Sequence, residues 1–107
     1  VVWADEPCAG WRATAADAYR GPWNRPTAAP ILVVGNTFDP STPYVGSVAM
    51  ARLLKSARLL TVNGFGHTTL LNPSDCANRH ISSYLIAGTL PAAGTACRQN
   101  TVPFTGP

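Results

Sequence analysis

The chain has 107 residues, a formal net charge of +3 and a charged fraction of 12%, which is about half of the roughly 25% found in ordinary soluble domains. Hydrophobic residues make up 46%, which excludes a disordered chain. No apolar run approaches the roughly 18 residues of a membrane span, and no signal-peptide pattern is visible at the amino terminus. The basic residues are scattered along the chain, which argues against a nucleic-acid-binding surface. The length allows one domain or a part of one.

The amino-terminal segment, residues 1–29, is predicted to be an irregular linker. It contains the breaker pairs Gly21-Pro22 and Arg25-Pro26, which interrupt regular structure. The stretch from Thr14 to Tyr19 has helix-forming residues but little periodicity, and it predicts one helical turn. We therefore expect the folded unit to occupy residues 30–107.

The first predicted strand and the first predicted helix come directly after the linker. The run Ile31–Gly35 is short, apolar and β-branched, as is typical of a parallel strand buried on both faces. Thr42 and Pro43 predict a helix start, with Thr as the N-cap and Pro at the first helical position. The helix is predicted over 44–55. Two apolar rows are expected to face a sheet: Val45, Ala49 and Leu53, with Gly46, Met50 and Leu54 beside them.

The run Arg58–Val62 predicts a second strand, ended by Asn63 and Gly64. Strand, helix and strand in this order predict a βαβ unit, in which parallel strands are joined by a right-handed crossover. Two strands do not form an independent parallel sheet, because such sheets need covered faces and further neighbours. The sequence therefore predicts an α/β fold with an incomplete sheet, the βαβα end of a larger doubly wound domain.

A second helix is predicted after a glycine-rich loop. Ser74 is expected to be its N-cap, and Asp75 in the first turn suits the helix dipole. Gly88 is expected to end it, as glycine commonly does in the left-handed conformation. The residues expected to share its packing face are Ile81, Tyr84 and Leu85.

Two titratable residues follow the predicted strands, where open α/β sheets gather functional groups. Asp39 follows the first strand and His67 the second. Each has an ordinary explanation by itself, because Asp before Pro often starts a turn and a lone loop histidine is usually solvated. Together they predict a pair in which Asp39 accepts the ring N–H of His67 and orients the other nitrogen as a general base.

The chain order Asp then His is typical of α/β-hydrolases, in which the nucleophile comes first. No serine of this sequence fits the G-x-S-x-G pattern of a nucleophile elbow. The pair would thus have nothing to activate, and the chain alone is expected to be inactive. No cofactor is expected.

Three cysteines, Cys8, Cys76 and Cys97, are present, and none forms a C-x-x-C motif. His80 lies one helical turn after Cys76, but a metal site needs three or four ligands, so no metal site is predicted. If two cysteines pair, the compartment is oxidising. The third then needs a partner outside these residues.

Three parts of the sequence, residues 30–44, 64–67 and 76–97, together resemble the carboxyl-terminal part of the tripeptidyl aminopeptidase-like α/β-hydrolases. Residues 8–11 and 21–23 resemble the segment just before that part. The family consists mostly of secreted or cell-envelope serine exopeptidases and proteases of actinobacteria. The resemblance implies a Ser-His-Asp triad, with Asp39 as the acid and His67 as the base.

The resemblance also implies what lies outside the triad pair. The partner of this chain would be the upstream remainder of the hydrolase, with the serine, the oxyanion hole and a cap domain that selects peptide substrates. A disulfide between Cys76 and Cys97 is implied, and Cys8 would pair upstream. Residues that could line a substrate pocket are Phe38, Tyr44 and Phe65.

Two alternatives stay open at this point. An esterase or lipase would use the same two loops, and a non-catalytic binding module could retain this part of the fold. Self-association of the isolated piece is also expected, because an incomplete sheet leaves apolar surface uncovered.

Overall fold

The computed structural model describes residue 10 and residues 14–69 and 72–104. Within them the elements in chain order are β1 (Ile31–Phe38), α1 (Tyr44–Leu53), β2 (Ala57–Phe65), α2 (Asp75–Ala87) and β3 (Ala96–Arg98). The strands form one parallel sheet in the order β1-β2-β3. The predicted α/β fold, a part of an α/β-hydrolase, is confirmed.

Strands β1 and β2 are paired from Ile31 opposite Ala57 to Asn36 opposite Val62, and a register shift then leaves Phe38 opposite Phe65. Both strands extend beyond their predicted ends. The longer β2 is explained by Gly64, which was predicted to end this strand in a turn. It is buried within β2, where a Cβ atom would lie 3.0 Å from Gln99 Oε1, so this glycine serves close packing inside the strand.

The short strand β3 is absent from the sequence-based prediction. It pairs with residues 61–63 of β2, and its central residue Cys97 is buried and bonded to Cys76. Three residues without an apolar run carry no periodic signal. The disulfide implied by the family resemblance is present and holds the tail against α2.

Helix α1 begins at Tyr44, directly after Pro43, and its N-terminus has no side-chain cap. The prediction of Thr42 as the N-cap is wrong. Its hydroxyl instead donates a hydrogen bond to Asp39 Oδ2 at 2.8 Å, and hydrogen bonds to an ionised carboxylate are stronger than those between neutral groups.

The predicted inward face of α1 is also wrong, since Val45, Met50 and Leu53 are exposed. The helix contacts the sheet through Ser47 and Tyr44. A Cβ atom at Gly35 would lie 2.7 Å from the Ser47 Cβ, and the Tyr44 hydroxyl bonds to Thr61 Oγ1 at 2.7 Å. The absence of a side chain at position 35 therefore lets α1 approach β1 closely.

Helix α2 matches its predicted ends. Ser74 accepts a hydrogen bond from the Ala77 N–H at 3.2 Å, and Gly88 ends the helix in the left-handed conformation with φ +67°. On its packing face, Ile81 contacts the core and the Tyr84 hydroxyl donates to the Pro30 carbonyl. Leu85 does not pack as predicted, because it is exposed.

The core lies between β2 and α2. Its buried side chains are Leu60, Val62, Ala77 and Cys97, with Leu32, Val34, Cys76 and Ile81 packed against them. Helix α1 lies on the opposite face, where Tyr44 meets Thr61. No helix in the described ranges is long and apolar enough to cross a membrane.

The described part of the linker, residue 10 and residues 14–29, forms turns and no helix or strand. In its predicted helical stretch, the Ala18 N–H donates to the Ala15 carbonyl at 3.0 Å. The division of the chain at residue 29 stays a prediction. Cys8 and its expected upstream partner lie outside the described residues.

Candidate active site

Asp39 is the first residue after β1, and its side chain is only 4% exposed. Its Oδ1 accepts hydrogen bonds from the backbone N–H groups of Ser41 and Thr42, each at 2.8 Å. Its Oδ2 accepts from the Thr42 hydroxyl at 2.8 Å and from the Thr68 N–H at 3.2 Å. The carboxylate is thus fixed by its own turn and by the loop that follows β2.

The same contacts set the charge of Asp39. Burial of the carboxylate raises its pKa, but the hydrogen bonds from Thr42, Ser41 and His67 outweigh that effect, and the pKa lies well below its ordinary value. Hydrogen bonds to the charged form stabilise it. Asp39 is therefore ionised throughout the neutral range.

His67 lies in the loop after β2, with its ring Nδ1 3.0 Å from both Oδ1 and Oδ2 of Asp39. An ionised carboxylate can only accept, so Nδ1 carries a proton. In the neutral ring, Nε2 then has a free lone pair. The described part of the chain makes no hydrogen bond to Nε2, and the side chain is 45% exposed. The geometry is that of a general base held in one tautomer.

The backbone around His67 is unusual. Gly66 has φ +97° and Thr68 has φ +60°, and a β-branched residue in the left-handed region costs about 1–3 kcal/mol. A Cβ atom at Gly66 would also overlap the side-chain amide of Asn72. Glycine is required at position 66 on both counts, and the conformation of Thr68 must be stabilised by its contacts.

A cleft of about 260 Å³ lies beside the pair. The residues that line it are Val34, Gly35, Asn36, Asp39, Thr42, Ser47, Thr68 and Thr69. At the carboxyl ends of β1 and β2, directly before the two loops, Phe38 and Phe65 are exposed and stack with ring centroids 4.7 Å apart. The hydroxyl of the third predicted pocket residue, Tyr44, bonds to Thr61 Oγ1.

The site depends on four further residues whose roles were not predicted from the sequence: Asn36, Thr42, Thr68 and Asn72. Thr42 could have been found, since a hydroxyl three residues after Asp is a common partner within a turn. Asn36 also gave a signal, because it is a polar residue that directly follows the apolar run Ile31–Gly35. The roles of Thr68 and Asn72 depend on the loop conformation, which has no local signature.

The Sγ atoms of Cys76 and Cys97 and a ring nitrogen of His80 lie within 4.8 Å of one another. The two sulfur atoms are bonded to each other, and thiolates are the form of cysteine that binds metals. The disulfide therefore leaves His80 without the thiolate ligands that a metal site here would need.

Comparison with known proteins places these features in context. Residues 1–97 match the family model described as TAP-like protein. Serine protease Hip1 of Mycobacterium tuberculosis is 39% identical over 72 residues, which cover 67% of this chain and 14% of that protein. Carboxylesterase B of the same species is 37% identical over 70 residues, covering 65% of this chain and 13% of that protein.

A third relative matches more of the chain. Tripeptidyl aminopeptidase of Streptomyces lividans is 31% identical over an alignment of 108 positions, gaps included, which covers 95% of this chain and 19% of that protein. The chain thus spans less than a fifth of the length of these curated relatives.

Proposed function

Because this chain belongs to the TAP-like family of α/β-hydrolases, we propose that it supplies the acid and the base of a Ser-His-Asp triad to a serine peptidase. Asp39 is the acid and His67 the base. The observation that carries the proposal is the contact of Nδ1 with both oxygens of a buried carboxylate, at 3.0 Å each. This contact leaves Nε2 free to take a proton.

The proposed reaction is acyl transfer. His67 Nε2 removes the proton of a serine hydroxyl as the serine oxygen attacks the scissile carbonyl, and a tetrahedral intermediate forms. The protonated ring then gives that proton to the leaving amine. Asp39 stays ionised, holds the ring and stabilises its positive charge. In the second half of the reaction, His67 removes a proton from water, which attacks the acyl-enzyme; the ring then returns the proton to the serine oxygen and the acid is released.

The serine belongs to another part of the proposed enzyme, since no serine of the chain fits a nucleophile elbow. We place it in sequence upstream of this chain, with the oxyanion hole and the cap domain. The outer edge of β1 supports this, because within the described ranges β1 pairs with β2 alone. Exposed apolar side chains on α1 and α2, such as Val45 and Ile86, would be covered there or between two copies of the chain.

Secretion or attachment to the cell envelope is the proposed location. Disulfides persist in oxidising compartments and are rare in the cytosol, and Cys76 and Cys97 form one. The substrates proposed for the enzyme are peptides with a free amino terminus. This is supported by the similarity to the tripeptidyl aminopeptidase of Streptomyces lividans, which matches 95% of the chain.

Ester hydrolysis is the second candidate. It is favoured by the 37% identity to a relative named as a carboxylesterase. An ester and a peptide are attacked through the same triad, but they differ in the leaving group that His67 must protonate.

The test uses the protein that joins this chain to an upstream G-x-S-x-G sequence. His67→Ala is assayed on tripeptidyl and aminoacyl anilides and on short-chain nitrophenyl esters, with His80→Ala as the matched control. We expect a loss of at least about 10³-fold in kcat for His67→Ala and no loss for the control. Turnover that survives in His67→Ala would overturn the triad. If the natural protein has no G-x-S-x-G sequence upstream of this chain, or if it has one and turns over neither class of substrate, the binding-module alternative holds.

A further inference from the structure

The carbonyl groups of three consecutive residues, Gly66, His67 and Thr68, accept hydrogen bonds from asparagine side chains. Asn36 Nδ2 donates to Gly66 O at 3.1 Å and to Thr68 O at 2.8 Å. Asn72 Nδ2 donates to Thr68 O at 3.1 Å and lies 3.5 Å from His67 O. The backbone on both sides of the His67 ring is therefore held by side-chain amides.

Asn36 holds the loop from within the sheet. It is 3% exposed and lies in β1, three residues before Asp39. Carbonyl oxygens can only accept, so its two contacts fix the amide with Nδ2 toward the loop. Within the described ranges its buried Oδ1 has no hydrogen-bond partner, which is costly. The contribution of this side chain is thus the pair of bonds that it donates to the His67 loop.

Asn72 holds the loop from the other side and is itself fixed. Its Oδ1 accepts from Gln99 Nε2 at 3.2 Å, while Gln99 Oε1 accepts from the Phe65 N–H at 2.9 Å. A chain of amides thus connects the loop to the end of β2. Asn72 therefore cannot move without breaking its bond to Gln99, which is itself bonded to β2.

We propose that Asn36 and Asn72, which we call the amide clamp, are positioning residues for His67; this inference rests on the proposed function of that residue. Thr68, next to His67, has a disfavoured φ of +60°. It keeps that conformation because the clamp binds its carbonyl while its N–H binds Asp39 Oδ2. Release of the carbonyl lets the loop relax and moves the ring away from Asp39, and small displacements of a catalytic group cost about 10²-fold in rate.

The variants Asn36→Asp and Asn72→Asp test the clamp because they preserve size and remove the donors. Each places an oxygen that only accepts against the carbonyl groups of the loop. In Asn72→Asp the acceptor for Gln99 is retained. The matched control is Asn63→Asp, which introduces the same charge at an exposed position of β2.

The protein is the enzyme that contains the upstream serine sequence, and two quantities are measured on each folded variant. The first is kcat and KM on a tripeptidyl anilide. The second is the exchange rate of the His67 Hδ1 proton by NMR, which does not depend on turnover. We expect kcat to fall about 10- to 100-fold with KM within about twofold, and Hδ1 to exchange faster, in both clamp variants but not in the control.

The clamp is refuted if kcat and Hδ1 exchange in the clamp variants match the wild type while His67→Ala is inactive. It is also refuted if Asn63→Asp shows the same losses. Should Asn36→Asp fail to fold, Asn72→Asp decides by the same criteria. If His67→Ala retains turnover, the proposed function fails, and the Hδ1 exchange rate still reports whether the clamp holds the ring.

Discussion

His67 Nδ1 lies at the same 3.0 Å distance from both carboxylate oxygens of Asp39, although the two residues come from loops that follow different strands. Asp39 is held by backbone N–H groups of its own turn and by the Thr68 N–H. The histidine loop is therefore bound to the carboxylate through its backbone as well as through the ring. This makes the pair a rigid unit at one end of the sheet.

Asp39→Asn should abolish most of the activity of the proposed enzyme. An asparagine amide can donate to Nδ1, which favours the tautomer with the proton on Nε2, and that ring cannot accept a proton from serine. We expect kcat to fall about 10⁴-fold, as in a known serine protease with this change. Steady-state kinetics on a tripeptidyl anilide measure it. A loss below about tenfold would show that the carboxylate does not orient the base.

The stability of the chain should depend on acid pH through Asp39. The pKa of this carboxyl is lowered in the folded state, so the ionised form stabilises the fold. That stabilisation is complete above the ordinary unfolded value of about 3.9 and is lost as the pH falls through the lower folded value. Urea unfolding between pH 5 and pH 2 should show a steeper fall for the wild type than for Asp39→Asn. Equal slopes would contradict the lowered pKa.

Gly66→Ala should impair the site and destabilise the loop. The added methyl group overlaps the Asn72 amide, and the φ of +97° is disfavoured for alanine. We expect a lower kcat and a lower midpoint of thermal unfolding.

The matched control for this change is Gly46→Ala in α1, where an added Cβ meets no atom within 4 Å. Alanine favours helix over glycine by about 0.5–1 kcal/mol, so this variant should unfold at a slightly higher temperature. If both variants behave alike, the conformation assigned to the histidine loop is wrong.

The bond between Cys76 and Cys97 should stabilise the chain. It closes a loop with a sequence separation of 21, which is worth about 3 kcal/mol in the chain-entropy model. Cys76→Ala combined with Cys97→Ala should lower the free energy of unfolding by about that amount in urea, and a reductant should have little further effect. Non-reducing mass spectrometry should show the wild type about 2 Da lighter than its reduced form. If all cysteines react as free thiols without reduction, the disulfide is absent and this prediction is wrong.

Features with a local physical cause were predictable from the sequence. Ser74 and Gly88 cap α2 through contacts within one turn, and the strand-end rule placed Asp39 and His67 together. Features that depend on distant partners were not. Periodicity cannot tell which face of a short helix meets the sheet, so the inward face of α1 was predicted wrongly.

The supporting residues of the site were missed for the same reason. Thr42 is the exception, because its hydroxyl bonds to Asp39 only three residues earlier in the chain. The partners of Asn36 lie 30 and 32 residues away, and Cys97 of β3 is bonded to Cys76, 21 residues earlier.

In the proposed triad, Asp39 holds the His67 ring with its proton on Nδ1 and its lone pair on Nε2. Nitrogen-15 NMR of the histidine rings at neutral pH tests it most directly, with His80→Ala used to assign the two histidines. We expect the neutral form of the His67 ring to carry its proton on Nδ1, with an Hδ1 signal that shifts in Asp39→Asn. A neutral ring protonated at Nε2, or an Hδ1 signal unaffected by Asp39→Asn, would show that Asp39 does not hold the ring in this tautomer.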